Sequence, residues 1–419
     1  MTAIDPNRRE VLKSALGTMA LAAGTSLAPR ALALDSTLSE SWEAVRAAYP
    51  EQTVWLNLNN AGVSPAPLSV QQRAIEAYRL ANANPDHGLW ELLDAEVPAT
   101  VARLAQLADC EPDEIALNRN TTEGMCTAIF GMPLTAGDQV LVGQWDYPAM
   151  LDAWDQRAVR DRVEVVRVRH DVMADDDAIV AAYVAAMTPR TRALQITHML
   201  HWTGRTLPVA RICAQARARG IVTVVDAAQS FGHVPVSVRA MDCDYLATSL
   251  HKWLCAPFGT GMLVVRRRVT EQTWPLFGVF DQARDAGKFT LANIGTYNSA
   301  THYAIGAALD VHQAIGAERK HARLRHLSRY WVERARDIPG FRIHTPMAAT
   351  DLGAVTLFSI DGLEPAWIER ELKQVHGVST IHRTPEGLAG VRVSPHVYTR
   401  EAELDDFVAV LGTLARGLA

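Results

Sequence analysis

Cysteine is scarce: 419 residues hold five thiols, Cys110, Cys126, Cys213, Cys243 and Cys255, with no C-x-x-C spacing among them. That excludes a disulfide scaffold and favours buried single thiols. Positive charge is not in excess either: 41 Lys and Arg stand against 46 Asp and Glu, for a net charge of −5. A surface for nucleic acid or for anionic lipid would need the opposite balance, so neither partner is expected. Beyond the N-terminal segment no stretch reaches the ~18 consecutive apolar residues of a membrane span, so no stable membrane insertion is expected. Long linkers, internal repeats and low-complexity tracts are missing too. With 48% apolar and 21% charged residues the composition is globular, not that of a fibre, a coiled coil or a disordered tail. At ~150 residues per domain, the length suggests about two or three domains.

Residues 1–33 read as an address. Arg8 and Arg9 precede Val11-Leu12-Lys13, an uncharged, mildly apolar run follows from Ser14 to Ala28, and Ala31-Leu32-Ala33 is an A-x-A cleavage site. The run is too short and too rich in Gly, Ala and Thr for a permanent membrane helix. Asn7-Arg8-Arg9-Glu10-Val11-Leu12-Lys13 resembles a twin-arginine export signal. The competing reading is an ordinary amphipathic extension, but pair, run and cleavage site stand in the order an export signal requires. The resemblance implies a partner in the twin-arginine export machinery and a periplasmic or otherwise exported protein. That route carries folded proteins, which suits one that acquires a cofactor before export.

Short β-branched runs then alternate with helical patterns. Strands are expected at Gln139–Val142, Val163–Arg169, Ala193–Thr197, Ile221–Val225, Tyr245–Thr248 and Met262–Val265. Helices are expected at Pro148–Val159, Asp175–Ala186 and Val209–Arg219. Apolar strands without alternation are covered on both faces, so the fold class is α/β with a mainly parallel sheet and right-handed crossovers. Ligands then bind beyond the strand C-terminal ends. From about residue 300 the pattern changes: helical runs at Tyr303–Ile315 and Glu318–Arg336, strands at Ala354–Ser359, Val378–His382 and Gly390–Val393, and a final helix over Glu401–Leu418. This divides the mature chain into a large domain over 34–300 and a small α+β domain over 301–419.

The chemistry concentrates at strand ends. Ile221–Val225 runs into Asp226-Ala227-Ala228-Gln229, and Tyr245–Thr248 runs into Ser249-Leu250-His251-Lys252-Trp253. A lysine after a buried apolar strand is poorly hydrated, which lowers its pKa and suits it to Schiff-base chemistry. A pyridoxal 5′-phosphate (PLP) site needs such a lysine, a carboxylate for the pyridinium nitrogen and donors for the phosphate. Asn118-Arg119-Asn120-Thr121-Thr122-Glu123-Gly124 follows the run Glu114–Leu117 and opens a helical stretch, where hydroxyls and backbone N–H groups can face an anion. Asn293-Ile294-Gly295-Thr296-Tyr297-Asn298 is a second polar loop before a helix.

D-A-A-Q followed by S-x-H-K-W resembles the class V aminotransferase family of PLP enzymes, fold type I, and most nearly its isopenicillin N epimerase-like branch. The resemblance runs from Leu56-Asn57-Leu58-Asn59-Asn60-Ala61-Gly62 to Arg392-Val393-Ser394-Pro395-His396-Val397-Tyr398. It implies a large seven-stranded domain, a small C-terminal domain and a homodimer with sites at the interface. By the same resemblance Lys252 binds PLP covalently, Asp226 pairs with the pyridinium nitrogen and Gln229 meets the phenolic oxygen. Ser249, His251, Thr121 and Thr122 surround the phosphate, and Thr296 reaches that of the partner subunit. A ring stacks on the cofactor from Gln144-Trp145-Asp146-Tyr147-Pro148, with Tyr147 preferred and Trp145 second. His198, in the Thr197-His198 step, stands near the cofactor O3′ and the substrate. Arg392 clamps the substrate α-carboxylate, and Asn60 and His382 contact substrate, with Arg383 beside His382. His198 and His201 have a metal-like i, i+3 spacing, but no third ligand supports a metal, and none is assigned.

Cysteine desulfurases of this family carry a nucleophilic Cys shortly before the carboxylate-binding Arg. Here the stretch from His376 to Gly390 has none, and the last cysteine is Cys255. Persulfide transfer is therefore disfavoured. Racemisation or epimerisation at Cα, transamination and C–S lysis stay open, as does a PLP-fold sensor without turnover, against which Lys252, Asp226 and Arg392 argue. The substrate is an amino acid or a derivative of one. Replacing Arg8 and Arg9 by lysine is expected to abolish export and leave the leader uncleaved. Fractionation with N-terminal sequencing checks this, and a wild-type chain that stays cytoplasmic with Met1 intact refutes it.

Overall fold

The computed structural model of the protein describes residues 36–52, 54–278, 294–349, 351–384 and 387–417. The leader at 1–33 and Asn293 of the polar loop lie outside the described residues. In chain order the strands are β1 (Leu56–Asn57), β2 (Ile115–Asn118), β3 (Gln139–Gly143), β4 (Glu164–Val168), β5 (Thr191–Thr197), β6 (Val222–Asp226), β7 (Tyr245–Ser249), β8 (Gly261–Val265), β9 (Phe341–Ile343), β10 (Thr356–Ile360), β11 (Val378–Ser379), β12 (Ile381–Arg383) and β13 (Gly390–Val393).

A seven-stranded sheet has the order β2-β8-β7-β6-β5-β3-β4. From β4 to β7 all neighbours are parallel. Val140, Val142, Ala193, Val224, Tyr245 and Ala247 pack on one face, and Leu141, Leu194, Ile196, Val225 and Leu246 on the other. Both faces are apolar, which is why these strands show no alternation. The expected strand over Met262–Val265 is β8, and it runs antiparallel between β7 and β2. The reason is the connection: after β7 the chain turns back at once, with Leu250 N donating to Thr260 O at 2.9 Å, and leaves no room for a crossover helix. Chain order reverses between β3 and β5, so their C-terminal ends open the crevice where such sheets bind ligands.

Helix boundaries follow local chemistry. Pro148 starts the helix Pro148–Asp161, which stops where Arg162 takes a left-handed φ of 59°. Asn120 caps Thr121–Gly131 by accepting from Glu123 N.

A second, antiparallel sheet has the order β12-β13-β10-β9. The helices Ala317–Ala335 and Glu401–Arg416 cover it, and Trp331 packs edge-on against Phe358 and Phe407 with ring centroids 5.6 and 5.5 Å apart. The single strand expected over Val378–His382 is two. β11 pairs with β1, β12 pairs with β13, and the chain changes sheet at the buried Thr380. The helical run expected over Tyr303–Ile315 is broken at Ala304, into Ser299–Tyr303 and Ile305–Ile315.

The loop after β5 is tied to the second sheet. Met199 and Thr206 bridge across it, Thr345 Oγ1 donates to Thr203 O at 2.6 Å, and Thr206 Oγ1 donates to Asp351 O at 3.2 Å. Gly204 lies at its tip with φ 71°, and a Cβ there would fall 1.9 Å from Val355 O. Gly204→Ala should therefore lower stability by about 1–3 kcal/mol, through strain and backbone overlap together. Gly137→Ala is the control, since Gly137 also has positive φ but nothing within 4 Å. Denaturant midpoints should fall further for Gly204→Ala, and equal midpoints would show that the loop yields.

Candidate active site

β6 ends in Asp226, and Lys252 follows the adjacent β7 by one turn, so a buried carboxyl and a half-buried amine interact beyond the C-terminal ends of two interior strands. Burial pushes the Asp226 carboxyl up, opposed by a hydrogen bond from Ala228 N at 2.9 Å and by the Lys252 charge. Burial pulls the Lys252 amine down to about 8, against the attraction of Asp226 and with help from the Arg392 charge. The amine therefore reaches half free base near pH 8 rather than above pH 10, which suits a nucleophilic lysine.

Both groups line a cavity of about 230 Å³. One end is built for an anion. Thr121 and Thr122 begin the helix Thr121–Gly131 there, beside Asn120, Ser249 and His251. Ser249 Oγ accepts from Thr121 N at 2.9 Å and lies 2.8 Å from Thr121 Oγ1. His251 Nδ1 is 2.9 Å from Thr260 O; a carbonyl only accepts, so Nδ1 carries the hydrogen and Nε2 is left for a ligand. A helix N-terminus with hydroxyls and an imidazole fits a phosphate. With the lysine amine and the carboxylate beyond it, the donor set fits a phosphate-bearing aldehyde with a basic ring nitrogen.

Gln229 lines the cavity, with Nε2 donating to Ala61 O at 2.8 Å and Oε1 accepting from Trp253 Nε1 at 2.9 Å. Tyr147 lines it with 43% of its surface exposed, while Trp145 belongs to the core and donates from Nε1 to His170 O at 3.0 Å. Of the two rings, the structure brings Tyr147 to the site.

Of the two histidines after β5, His201 and not His198 lines the cavity, together with Thr197 and Met199. His198 is buried beside it, with Nδ1 unpartnered and its pKa pulled down to about 4 by burial. Strand alternation turns it away from its cavity-lining neighbours on either side. His201, whose significance the sequence did not reveal beyond its spacing, has both ring nitrogens unpartnered. Burial and the Arg392, Lys252 and Arg383 charges hold it neutral.

Asn60 is fully buried and does not line the cavity. It accepts from Tyr398 Oη at 2.6 Å and Asn57 Nδ2 at 3.0 Å, and donates to Ser394 O at 2.9 Å. Its polar atoms are spent on packing, and it is Asn59 that reaches Arg392, accepting from Nη2 at 2.7 Å. Arg392 also donates from Nη1 to His201 O at 3.0 Å. Its buried Nε has no partner, and no carboxylate among the described residues pairs with it. Burial lowers its pKa to about 9. His382 turns to Glu369, which accepts from its backbone N and Nδ1, and it lines a neighbouring cleft. Thr296 is exposed and does not line the cavity of its own chain.

Asp146 had no part in the sequence reading, yet it fastens the site. Fully buried, it accepts from Gly143 N at 2.9 Å, Gln195 Nε2 at 3.0 Å, Thr197 N at 3.1 Å and Thr197 Oγ1 at 2.6 Å. It thereby locks the turn that carries Tyr147 to the end of β5.

The family model aminotransferase class-V matches residues 56–407. An isopenicillin N epimerase from Streptomyces clavuligerus is 30% identical, over 89% of this chain and 98% of that protein. A probable cysteine desulfurase from Synechocystis sp. is 27% identical, over 86% and 90%. Among solved structures, a mutant of a cystine C–S lyase with glycine covalently linked to its PLP cofactor superposes with a TM-score of 0.80 at 20% identity, covering 88% of this chain and 98% of that one.

The lowered Lys252 pKa sets a pH dependence. Covalent attachment of added PLP to the cofactor-free protein should accelerate as pH rises towards about 8 and level off above it. A lysine of ordinary pKa, about 10.4, would keep gaining past pH ~9.5. Stopped-flow absorbance with borohydride trapping and peptide mapping reads this, and a label on another lysine, or a rate still climbing at high pH, would contradict it.

Proposed function

The chain belongs to the class-V aminotransferase family of PLP-dependent enzymes, and on that premise we propose that it acts at Cα of an amino acid or amino-acid derivative, by racemisation or epimerisation. The observation that carries the reading is the buried Arg392 guanidinium beside the amine of Lys252, whose pKa is lowered to about 8. Arg392 meets only neutral acceptors, Asn59 Oδ1 and the His201 carbonyl, and keeps an unpartnered Nε. Leaving a buried donor unmade costs about 1–3 kcal/mol, which a ligand carboxylate would offset. Beside an amine-reactive lysine, such a guanidinium selects an α-amino acid.

Bound PLP supplies an electron sink for negative charge at the substrate Cα. Lys252 would hold it in the resting protein, Asp226 would keep its ring nitrogen protonated, and Thr121, Thr122, Ser249 and His251 would hold its phosphate. Arg392 would orient the substrate through its carboxylate, and Lys252 Nζ, once the substrate amine has displaced it from the cofactor, would take the Cα proton. Inversion needs a second proton-handling group, and His201 is a neutral imidazole in the cavity wall with both nitrogens free. Persulfide transfer has no support: among the described residues none of the five cysteines lines the cavity.

We further propose a homodimer and an exported location. Exposed Tyr78, Trp90 and Trp274 supply aromatic surface for a partner subunit, and an exposed Thr296 is free to serve that subunit's phosphate. Export rests on the twin-arginine resemblance of residues 1–33. An exported transaminase would have no cytoplasmic pool of 2-oxo acid acceptors to draw on, which favours inversion.

Incubating the holoenzyme with a panel of amino acids in D2O tests the reaction. Deuterium at Cα with loss of optical purity, and no release of 2-oxo acid or sulfide, is expected for at least one. Stoichiometric 2-oxo acid would make it a transaminase, and sulfide or persulfide a C–S lyase. No Cα exchange with any amino acid would refute the proposal.

A further inference from the structure

A cleft of about 390 Å³ adjoins the active cavity, and consecutive residues divide between the two. Tyr147 faces the cavity while its neighbour Pro148 lines the cleft, and His201 faces the cavity while Trp202 lines the cleft. The His201 and Trp202 rings are 4.0 Å apart, and those of Tyr147 and His201 5.1 Å. Arg383 lines the cleft too, with its guanidinium carbon 5.5 Å from the Trp202 ring centroid.

Arg383 is a cation with little to hold it. It is half-buried, its Nε has no partner, and its hydrogen bond is from Nη1 to its neighbour's carbonyl, His382 O, at 3.3 Å. No carboxylate among the described residues forms an ion pair with it. The two nearby acids are committed elsewhere: Glu369 to His382, and Asp146 to Gly143, Gln195 and Thr197. Register places Arg383 with respect to Arg392. Ile381 of β12 pairs with Arg392 of β13, so Arg383, two residues on, is a diagonal neighbour on the same face of the sheet. Such neighbours lie roughly 7–8 Å apart. The Arg383 charge is close enough to disfavour protonation of both His201 and Arg392.

We propose that Arg383, backed by Trp202, is a specificity-determining subsite for a second anionic group, so that the preferred substrates are amino acids whose side chain ends in a carboxylate or similar oxyanion. This rests on the reading in which Arg392 takes the α-carboxylate. A guanidinium on an aromatic face presents its donor edge for bidentate contact with a planar oxyanion. Arg392 and Arg383 then hold the two ends of one substrate, and the uncompensated charge of each is met by the ligand.

Calorimetric titration of the holoenzyme with succinate, glutarate and adipate, each against its monoamide, tests this without requiring any reaction at Cα. At least one dicarboxylate should bind about tenfold or more tightly than its monoamide, since one charge-assisted contact is lost in the amide. The preference should shrink to within about twofold in Arg383→Gln and survive in part in Arg383→Lys, with unfolding midpoints checking that both variants are folded. No preference in the wild type, or one that persists in Arg383→Gln, overturns the proposal. So does an equal weakening of monoamides and dicarboxylates, which would mean that both arginines share one carboxylate. A dicarboxylate preference in a protein that exchanges no Cα hydrogen would preserve the subsite and remove the proposed reaction instead.

Discussion

The active site depends on keeping charge out of water beyond the C-terminal ends of the parallel strands. Asp226 is buried and Lys252 half-buried, and desolvation drives each towards its neutral form while their mutual attraction restrains the shift. Neither would be tolerable alone, because an isolated buried charge costs several kcal/mol. The register of β6 and β7 supplies the remedy, ending one strand in a carboxylate and the next just before a lysine. The strands themselves are largely apolar on both faces, so the ionisable groups of the site stand where they stop.

Around this pair the second sheet acts through hydrogen bonds. Ser394, two residues beyond Arg392, donates from N to Leu58 O at 2.7 Å and accepts at Oγ from Ala61 N at 3.0 Å. Ala61 O in turn accepts from Gln229, whose Oε1 holds Trp253 next to the lysine. Trp253 stacks between His233 and His396, with centroids 3.7 and 5.5 Å away. The segment after β1 is therefore a strap between the two sheets. Asn60 belongs to that strap, and the chemistry near it falls to Asn59.

The same geometry bears on reaction type. Cys255, the thiol nearest the lysine in the chain, sits at a left-handed φ of 59° and is buried, and burial raises its pKa against the opposing effect of Lys320, Tyr49 and Ser64. A thiol held protonated and away from the cavity is no sulfur acceptor. The cavity wall offers instead a neutral imidazole, His201, and a tyrosine, Tyr147, which suits movement of protons.

What the sequence determined by itself was what short-range rules encode. Apolar β-branched runs ending in Asp226 and just before Lys252, a capped helix starting at Thr121 and the Arg-x-Ser around Arg392 are local patterns, and each marks its element and its chemistry. Tertiary structure decided which neighbour in each stretch serves the site: His201 and Tyr147 line the cavity in place of His198 and Trp145, and Asn59 in place of Asn60 reaches Arg392. Those choices turn on side-chain direction and on distant partners such as Tyr398, Ser394 and His170, which a linear pattern does not contain. It also decided that Val378–His382 divides between two sheets, because pairing across long sequence distances, not propensity, sets where a strand belongs. The physical reason is common to all of these: propensity and periodicity act over a few residues, whereas burial and hydrogen-bond satisfaction are settled only when remote segments meet.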